Sequence, residues 1–424
     1  MRRVTTTVVA LATTSALSIA GLGAAQAATT GSAGSVERAA GRDAGFALKA
    51  AGYGTRASGG QVPAGSRDTA FMAIGCGTKV GMERENHEAE ATLPGGAGTA
   101  SAIRTDLWTV RSKDGGVHSY SRNRTAKIVL AQSGLGEVQI SAVTSLSHAW
   151  HDGQGFHAET KVTVGDIEFV PPSGDPQHFE IPTPGQPIEI PGLAKITVGQ
   201  SKKSVTSAGA TAEANALRVT FLPSATRLTV GHSAAQALDG IKHGTFHGFS
   251  TGTRSTAADD SITSGRTPLS LLPCQGTNGK LRTKAIADVN LGDQIVVQGL
   301  RSQQKASQFP GKSVAMERGT VASINLGDGQ LVVDGIIGQA NVTRSGSGGV
   351  TSDIKGTTLG TITANGEPQS FPDSDVIEIP GVAKLERNIV DKTKFGISVI
   401  SLRITLLDGR AAVIDLGVAQ ARIR

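Results

Sequence analysis

The sequence predicts an all-β protein made of two tandem, duplicated, β-sandwich-like domains, and three observations predict it. The eight-residue stretch Ile188 to Lys195, Ile-Glu-Ile-Pro-Gly-Leu-Ala-Lys, returns at Ile377 to Lys384 with only Leu193 exchanged for Val382. Glycine supplies 55 of the 424 residues, and Thr, Ser and Val dominate the segments between the glycines. Turn-forming residues recur about every 8 to 12 positions, the spacing of short antiparallel strands in sandwiches and barrels. Beyond the first few dozen residues, no Leu- or Ala-rich stretch carries a helical apolar period.

Each copy of the repeated stretch reads as strand, turn, strand. Ile188-Glu189-Ile190 alternates apolar and polar, so both isoleucines face one side of a sheet. Pro191 and Gly192 then suit positions i+1 and i+2 of a type II turn, because proline fixes φ and glycine accepts positive φ. The correspondence extends outward. Val138 to Gly155 aligns without gaps on Leu331 to Gly348, and Ala216-Leu217-Arg218-Val219-Thr220-Phe221-Leu222 matches Ser401-Leu402-Arg403-Ile404-Thr405-Leu406-Leu407. Gly52-Tyr53-Gly54-Thr55-Arg56 resembles Phe249 to Arg254, and Cys76 and Cys274 stand at matching places. Two domains of sufficient length for separate cores follow, at 45–238 and 239–424.

Residues 1–27 have the pattern of a secretion signal: Arg2-Arg3, an apolar stretch from Val8 to Leu22, then Ala25-Gln26-Ala27 as the cleavage motif. The apolar stretch is too short and too rich in Thr and Ser for a membrane span. Residues 28–44 are small, polar and Gly-rich, and read as a disordered linker. Removing Arg2 and Arg3 takes 41 basic residues to 39 against 35 acidic ones, a net charge of +4 spread without clusters. Such a surface disfavours nucleic acid and anionic membranes as partners. The expected location is outside the cell.

Export bears on the only two cysteines, Cys76 and Cys274. Three states are open to them: a disulfide joining the domains, two buried thiols, or a link between chains. An oxidising compartment and matching positions in two similar domains favour the intrachain bridge.

Leu271-Leu272-Pro273-Cys274, the segment Gly136 to Ser145, the Ile-Pro-Gly turns and the Leu-Arg-Val-Thr strand together resemble the choice-of-anchor P family. These are secreted proteins of actinobacteria-like organisms, and the resemblance covers nearly all of the mature chain. It implies class and location. It brings no catalytic or ligand-binding residues, and the C-terminal anchor that relatives carry in different forms has no counterpart near Ala421 to Arg424.

Several constellations could carry chemistry. Gly248-Phe249-Ser250-Thr251-Gly252 matches a nucleophile elbow, with His243 and His247 nearby, but that mechanism wants its histidine after the serine and none follows His247. His148, His151 and His157 surround Trp150. On a strand, His148 and His151 point to opposite faces, so a zinc pair is not expected and solvated loop and edge positions are. Glu83, Glu85, Glu88 and Glu90, and again Asp373 and Asp375, could offer carboxylates to Ca²⁺ but lack the alternating acids and glycine of a dedicated loop. Two short glycosylation patterns begin at Asn123 and Asn341. With two Trp and two Tyr in the chain, Trp108 and Trp150 are expected in the core rather than on a sugar-binding platform.

The resulting functional expectation is a secreted structural or interaction protein with no catalytic centre and no cofactor. Its partner would be a cell-envelope polymer or a second copy. The alternatives are a binding module for cell-wall polymer or calcium, and third an extracellular hydrolase. A binding module should carry an aromatic- or acid-lined cleft in one repeat only; a structural protein should present flat faces and open edges in both.

Overall fold

In a computed structural model, the described residues are 43–424, except 60–65, 67, 94–95, 133–135, 223, 257–264, 292–293, 347 and 408–411. The expected secretion signal lies outside them, as does the linker up to residue 42. No α-helix occurs among the described residues, and every strand pairing is antiparallel.

Four sheets result. Sheet 1 runs β10 (Pro187–Ile190), β11 (Ala194–Thr206), β12 (Gly209–Phe221), β13 (Arg227–Leu238), β1 (Asp43–Ser58), β2 (Met72–Lys79). Sheet 2 runs β3 (Glu83–Leu93), β4 (Gly98–Arg111), β5 (Val117–Gln132), β6 (Gly136–Asp152), β8 (Asp166–Val170), β9 (Gln177–Phe179), with β7 (Gly155–Thr163) also on β6. Sheet 3 runs β24 (Val376–Ile379), β25 (Ala383–Thr393), β26 (Gly396–Leu406), β27 (Val413–Ile423), β14 (Phe246–Thr256), β15 (Arg266–Thr267), with β16 (Ser270–Leu271) also on β14. Sheet 4 runs β17 (Arg282–Asn290), β18 (Ile295–Phe309), β19 (Lys312–Leu326), β20 (Leu331–Ser345), β22 (Ile362–Ala364), β23 (Glu367–Gln369), with β21 (Val350–Asp353) also on β20. Sheets 1 and 2 take the strands up to Leu238 and sheets 3 and 4 those from Phe246 on, in corresponding orders.

The repeated stretch forms the turns its residues require. The N–H of Leu193 donates to the Ile190 carbonyl at 3.0 Å, as Val382 does to Ile379, and Gly192 and Gly381 sit at φ +72° and +70°. In the repeated Leu-Arg strand, Leu217, Val219 and Phe221 are buried and Arg218 is exposed, so the alternation sets the face. Midway along the long strands, single residues adopt positive φ, and they fall at corresponding places: Ala102 and Gly299, Ala142 and Gly335, Gly199 and Asn388, Gly231 and Gly417. The pairing register is the same on either side of each, so the ladder is interrupted there without an inserted residue.

Between facing sheets the core is apolar towards the ends and polar at the waist. In the first pair, one end packs Ile103, Ile140, Val219 and Val230, and the other packs Leu48, Val117, Ala149 and Ala235. Between them, Ser119 Oγ donates to the Lys49 carbonyl at 2.9 Å and Ser121 Oγ to the Ala51 carbonyl at 2.7 Å, both across the sheets. Ser302 Oγ likewise reaches the Ser250 carbonyl at 2.7 Å in the second pair. A hydroxyl can bridge two backbones only if the sheets approach far closer than the about 10 Å of ordinary packing. At Gly338 the approach is closest: a Cβ there would lie 1.7 Å from the Gly417 carbonyl oxygen.

One covalent link joins the two pairs of sheets. Cys76 on β2 and Cys274, just after β16, form a disulfide with Cα atoms 5.3 Å apart. Around it, Thr245 Oγ1 donates to the Cys76 carbonyl at 2.9 Å, and Gln275 Nε2 donates to the carbonyls of Asp239 at 2.9 Å and Ala208 at 3.2 Å.

Two measurements check this architecture. Gly338→Ala should destabilise by at least about 3 kcal/mol, because backbone rather than a flexible side chain stands in the way. Gly192→Val, strained in φ but facing open space, should cost about 1–3 kcal/mol. Urea midpoints that rank the two the other way would refute the backbone contact at the waist. Cys76→Ala/Cys274→Ala opens a loop of 198 residues and should remove up to about 5 kcal/mol on the chain-entropy model. The β-sheet circular dichroism should survive in this variant, since each pair of sheets keeps its own core.

Candidate functional site

The outer face of sheet 2 gathers both tryptophans and one of the two tyrosines of the chain. On β4, β5, β6 and β7, alternate residues point away from sheet 1, and the strand register lines them up. Trp108 pairs with Tyr120, Tyr120 with His148, His118 with Trp150, and Trp150 with His157. Cross-strand neighbours on one face stand close enough to touch, so the rings stack into a ladder. The centroids are 4.7 Å apart for Trp108 and Tyr120, 3.9 Å for Tyr120 and His148, 4.2 Å for His148 and Trp150, and 4.9 Å for Trp150 and His157. Interplanar angles are 17° or less along this path. The rings therefore cover one another's faces and turn their edges to solvent.

Polar groups lock the ladder. His118 Nδ1 lies 2.9 Å from His148 Nε2, and His118 Nε2 lies 3.0 Å from Ser112 Oγ. The Trp150 indole N–H donates to Asp152 Oδ2 at 3.3 Å, and His157 Nε2 lies 3.1 Å from Asp152 Oδ1. Burial pushes His148 down to about 3, with the neighbouring His118 adding to the effect, and burial also lowers His118. Burial thus favours the neutral form of both imidazoles, one ring donating to the other.

One row further along, Asp106 is 8% exposed and holds three guanidiniums: Arg104 Nε at 2.7 Å, Arg124 at 2.9 Å and Arg122 at 3.1 Å. Burial opposes the Asp106 charge, but the Arg104 and Arg122 hydrogen bonds and the Arg124 charge outweigh it and hold its carboxyl low. Arg104 also meets Glu85 at 2.6 Å, and Arg122 lies over the Trp108 ring at 5.4 Å. The surface thus joins ring edges to a fixed guanidinium cluster. Sheet 4 has no such array at the corresponding register, where Lys305, Met316 and Asn341 align, and next to them Val314 and Thr343.

These positions correct three expectations. Trp108 and Trp150 are not core residues; they are half-buried on an outer face, because their strand neighbours Leu107 and Ala149 take the inward positions. His148 is neither a loop nor an edge residue but stands mid-sheet, shielded by Tyr120 and Trp150. His151 does point to the other face, against Phe46 at 4.3 Å, as strand parity demands. The signal for the ladder was present in His118-Ser119-Tyr120-Ser121-Arg122 and Ser147-His148-Ala149-Trp150, where large rings alternate with small residues. Hydropathy assigns the rings to the core, whereas the small residues take it.

The other sequence candidates are dispersed or sequestered. Ser250 is fully buried mid-strand and donates to Glu317 Oε2 at 2.7 Å, far from the exposed turn an acylated serine needs. His247 accepts or donates at 3.2 Å to Thr245 Oγ1. Glu88 Oε1 accepts the Ala70 N–H at 2.6 Å; with Glu85 on Arg104, half of the acidic patch is committed. Asp375 pairs with Arg387. Among the described residues, no three His, Cys, Asp or Glu converge to hold a metal. Asn123 is fully buried with its amide on the Arg104 carbonyl and Thr105 Oγ1, and the Asn341 amide is held by Asp353 and the Lys355 carbonyl. The sequence did not point to Glu317, whose carboxyl burial raises well above the usual range against the Ser250 hydrogen bond.

Comparison with known families, curated proteins and solved structures finds no match. Among the described residues no helix is long and apolar enough to cross a membrane.

The pH dependence of stability follows from the neutral histidines. Burial lowers His232 and His247 to about 4, as it lowers His148 to about 3. The unfolded chain takes up these protons below about pH 6.5 and the folded chain does not, so stability is lost as pH falls from there towards 4. At about 1.4 kcal/mol per pH unit and group, discounted for partial solvent access, His232 and His247 together should cost on the order of 3–5 kcal/mol. Glu317 acts in the opposite sense: its raised folded value takes stability away as pH rises above about 4.5. Glu317→Gln should therefore raise the melting temperature at pH 8 more than at pH 5. A flat acid limb in the parent, or an equal effect of Glu317→Gln at both pH values, would contradict these assignments.

Proposed function

We propose that this is a secreted, non-catalytic interaction protein that docks a cell-envelope polymer on the outer face of sheet 2. The observation that carries the proposal is the ring ladder, half-exposed and present in only one of two sheets with corresponding strand order. Exposed Trp, Tyr and Arg side chains in one contiguous patch are the residues that dominate binding energy at interfaces. A partner meets ring edges, the indole and phenol polar groups, and the Arg122 and Arg124 guanidiniums. Hydroxyl-rich chains satisfy such donors and acceptors, and the locked geometry keeps the ordering cost of binding low.

The N-terminal export pattern and the buried disulfide support the extracellular setting. The resemblance to the choice-of-anchor P family points the same way. A hydrolase would need Ser250 at the surface, and it is buried. Calcium binding at Glu83, Glu85, Glu88 and Glu90 would have to break the Arg104 ion pair and the Ala70 hydrogen bond. Self-association through the same face remains the competing outcome of the test.

Co-sedimentation of the mature chain with isolated cell-wall sacculi tests the reading. Binding should be saturable, and Tyr120→Ala/Trp150→Ala should weaken it at least about tenfold, while Met316→Ala on the corresponding face of sheet 4 leaves it unchanged. Equal binding by all three proteins would remove the ladder from the function. Concentration-dependent dimerisation lost in the double variant, without sacculus binding, would assign the face to a second copy.

A further inference from the structure

The waist of the second sandwich buries an ionisable group where the first has none. Gln304 pairs with Glu317 across β18 and β19 as Leu107 pairs with Ser121 across β4 and β5. Ser250 pairs with Ala419 as Gly52 pairs with Ser233. Leucine, serine and glycine in the first half thus become glutamine, glutamate and serine in the second. Ser121 is satisfied by one acceptor, the Ala51 carbonyl at 2.7 Å. The second set has more polar atoms to satisfy in the same narrow space.

Two of those atoms have no partner. Glu317 is 0% exposed and Gln304 5%. Glu317 Oε2 accepts from Ser250 Oγ at 2.7 Å, and Ser250 Oγ lies 2.9 Å from Ser302 Oγ. Glu317 Oε1 and Gln304 Oε1 are buried without a donor. They belong to directly opposed residues, whose β-carbons stand about 5 Å apart. Two acceptors set against each other repel, and each forfeits the bonds it had in water. One proton cures both faults. A carboxylic acid donates where a carboxylate only accepts, so a proton on Glu317 Oε1 gives Gln304 Oε1 its donor.

The surroundings do not favour the ionised form. Ala340 on β20 opposes Glu317 on its other side and joins Ala306, Ala315 and Ala419 in an apolar cluster. His247 on β14, Arg301 and Lys305 on β18, Arg318 on β19 and Arg422 on β27 alternate with the inward residues and so lie on the outer faces. Arg254 is held by Asp415, and Asp334 and Arg344 stand towards the two ends of β20. Beyond Gln304 on β17, Arg282 is exposed and Lys284 donates to the Leu269 carbonyl. Burial raises the Glu317 carboxyl well above its usual range, opposed only by the Ser250 hydrogen bond.

We propose that Glu317 and Gln304 form a proton-dependent clasp that keeps the second sandwich closed at its waist and releases it at alkaline pH. With the proton in place, a side-chain O–H···O bond ties β18 to β19 in addition to their backbone ladder. Without it, a negative charge is left against Gln304 and the alanines, and the waist opens to let water reach it. The first sandwich, with Leu107 and Ser121 at these positions, has no such response, so its ring ladder stays intact while the second half loosens. The clasp is independent of the polymer-binding reading of sheet 2, and either can fail without the other.

Deuterium exchange of the full mature chain, resolved by peptide and corrected for the intrinsic pH dependence of exchange, tests the clasp. Between about pH 5 and about pH 9, opening of the β18 and β19 peptides should rise at least about tenfold, and that of the β4 and β5 peptides should not. Glu317→Gln keeps a donor for Gln304 at every pH and should abolish the rise. Glu317→Ser/Gln304→Leu, which installs the pair of the first half, should do the same. The infrared difference between the parent and Glu317→Gln should show a carboxylic acid C=O band at the lower pH that disappears at the higher. In Gln304→Leu this band should move to higher frequency, as the O–H loses its acceptor. Unchanged opening in the parent, or a rise that persists in Glu317→Gln, overturns the proposal. So does a carboxylate at the lower pH, the outcome if the Gln304 amide donates to an ionised Glu317, or an acid band that does not move in Gln304→Leu.

Discussion

The close approach of facing sheets at the waist is the constraint on which the rest of the structure depends. Where Gly338 meets the Gly417 carbonyl, two backbones are in contact and no side chain fits between them. Hydroxyls fill the neighbouring positions because only a short donor can span the gap and satisfy a carbonyl on the other side, as Ser121 and Ser302 do. Ser119, Ser121 and Ser302 are tolerated there because they are paired; the same residues unpaired would oppose folding. Positive-φ residues interrupt the long strands at corresponding positions in both halves, and the larger aliphatic side chains pack towards the ends.

A protein with few aromatic residues would ordinarily spend them on the core, where each buries the most apolar area. Phe46, Phe156 and Phe221 do pack against the inner clusters of the first half, but Trp108, Tyr120 and Trp150 stack on the outside of sheet 2 and bury one another's faces instead. Their mutual contact, with the His118–His148 hydrogen bond and the Asp152 pairings, makes a rigid surface without a cleft. Rigidity and asymmetry between the two halves are what set this face apart. Sheet 4 shares the strand order but carries Lys305, Met316 and Asn341 in place of rings.

The same comparison exposes the difference at the open sides of the sandwiches. An exchange of Glu88 for Ile286 and of Ala70 for Pro268 removes both partners of one hydrogen bond at once, so neither is left buried and unpaired. What remains is a gap bordered by Leu269, Leu271, Arg282 and Lys284. Paired substitutions of this kind let one copy of a fold stay closed while the other stays open.

By itself the sequence determined the fold class, the repeated strand–turn–strand units and the type II turns, because local alternation and the Pro-Gly pair act over a few residues. It also favoured the Cys76–Cys274 bridge, since matching positions in two similar halves and the expectation of an oxidising compartment both point to it. Parity along β6 separated His148 from His151 correctly. The tertiary structure decided the rest. Whether Trp108 and Trp150 face in or out depends on which face of sheet 2 meets sheet 1, and that is settled by contacts between strands far apart in sequence, such as Ser119 on Lys49 and Ser121 on Ala51. The ladder depends on the register of four strands, which no single strand encodes. Ser250 looked like a nucleophile because its neighbours match a short pattern; its burial against Glu317 comes from strands more than fifty residues further along the chain, as β14 donates to β19 at a sequence separation of 67. Contacts made by closure of the sheets are invisible to any window of the chain, and these are the contacts that place the candidate sites.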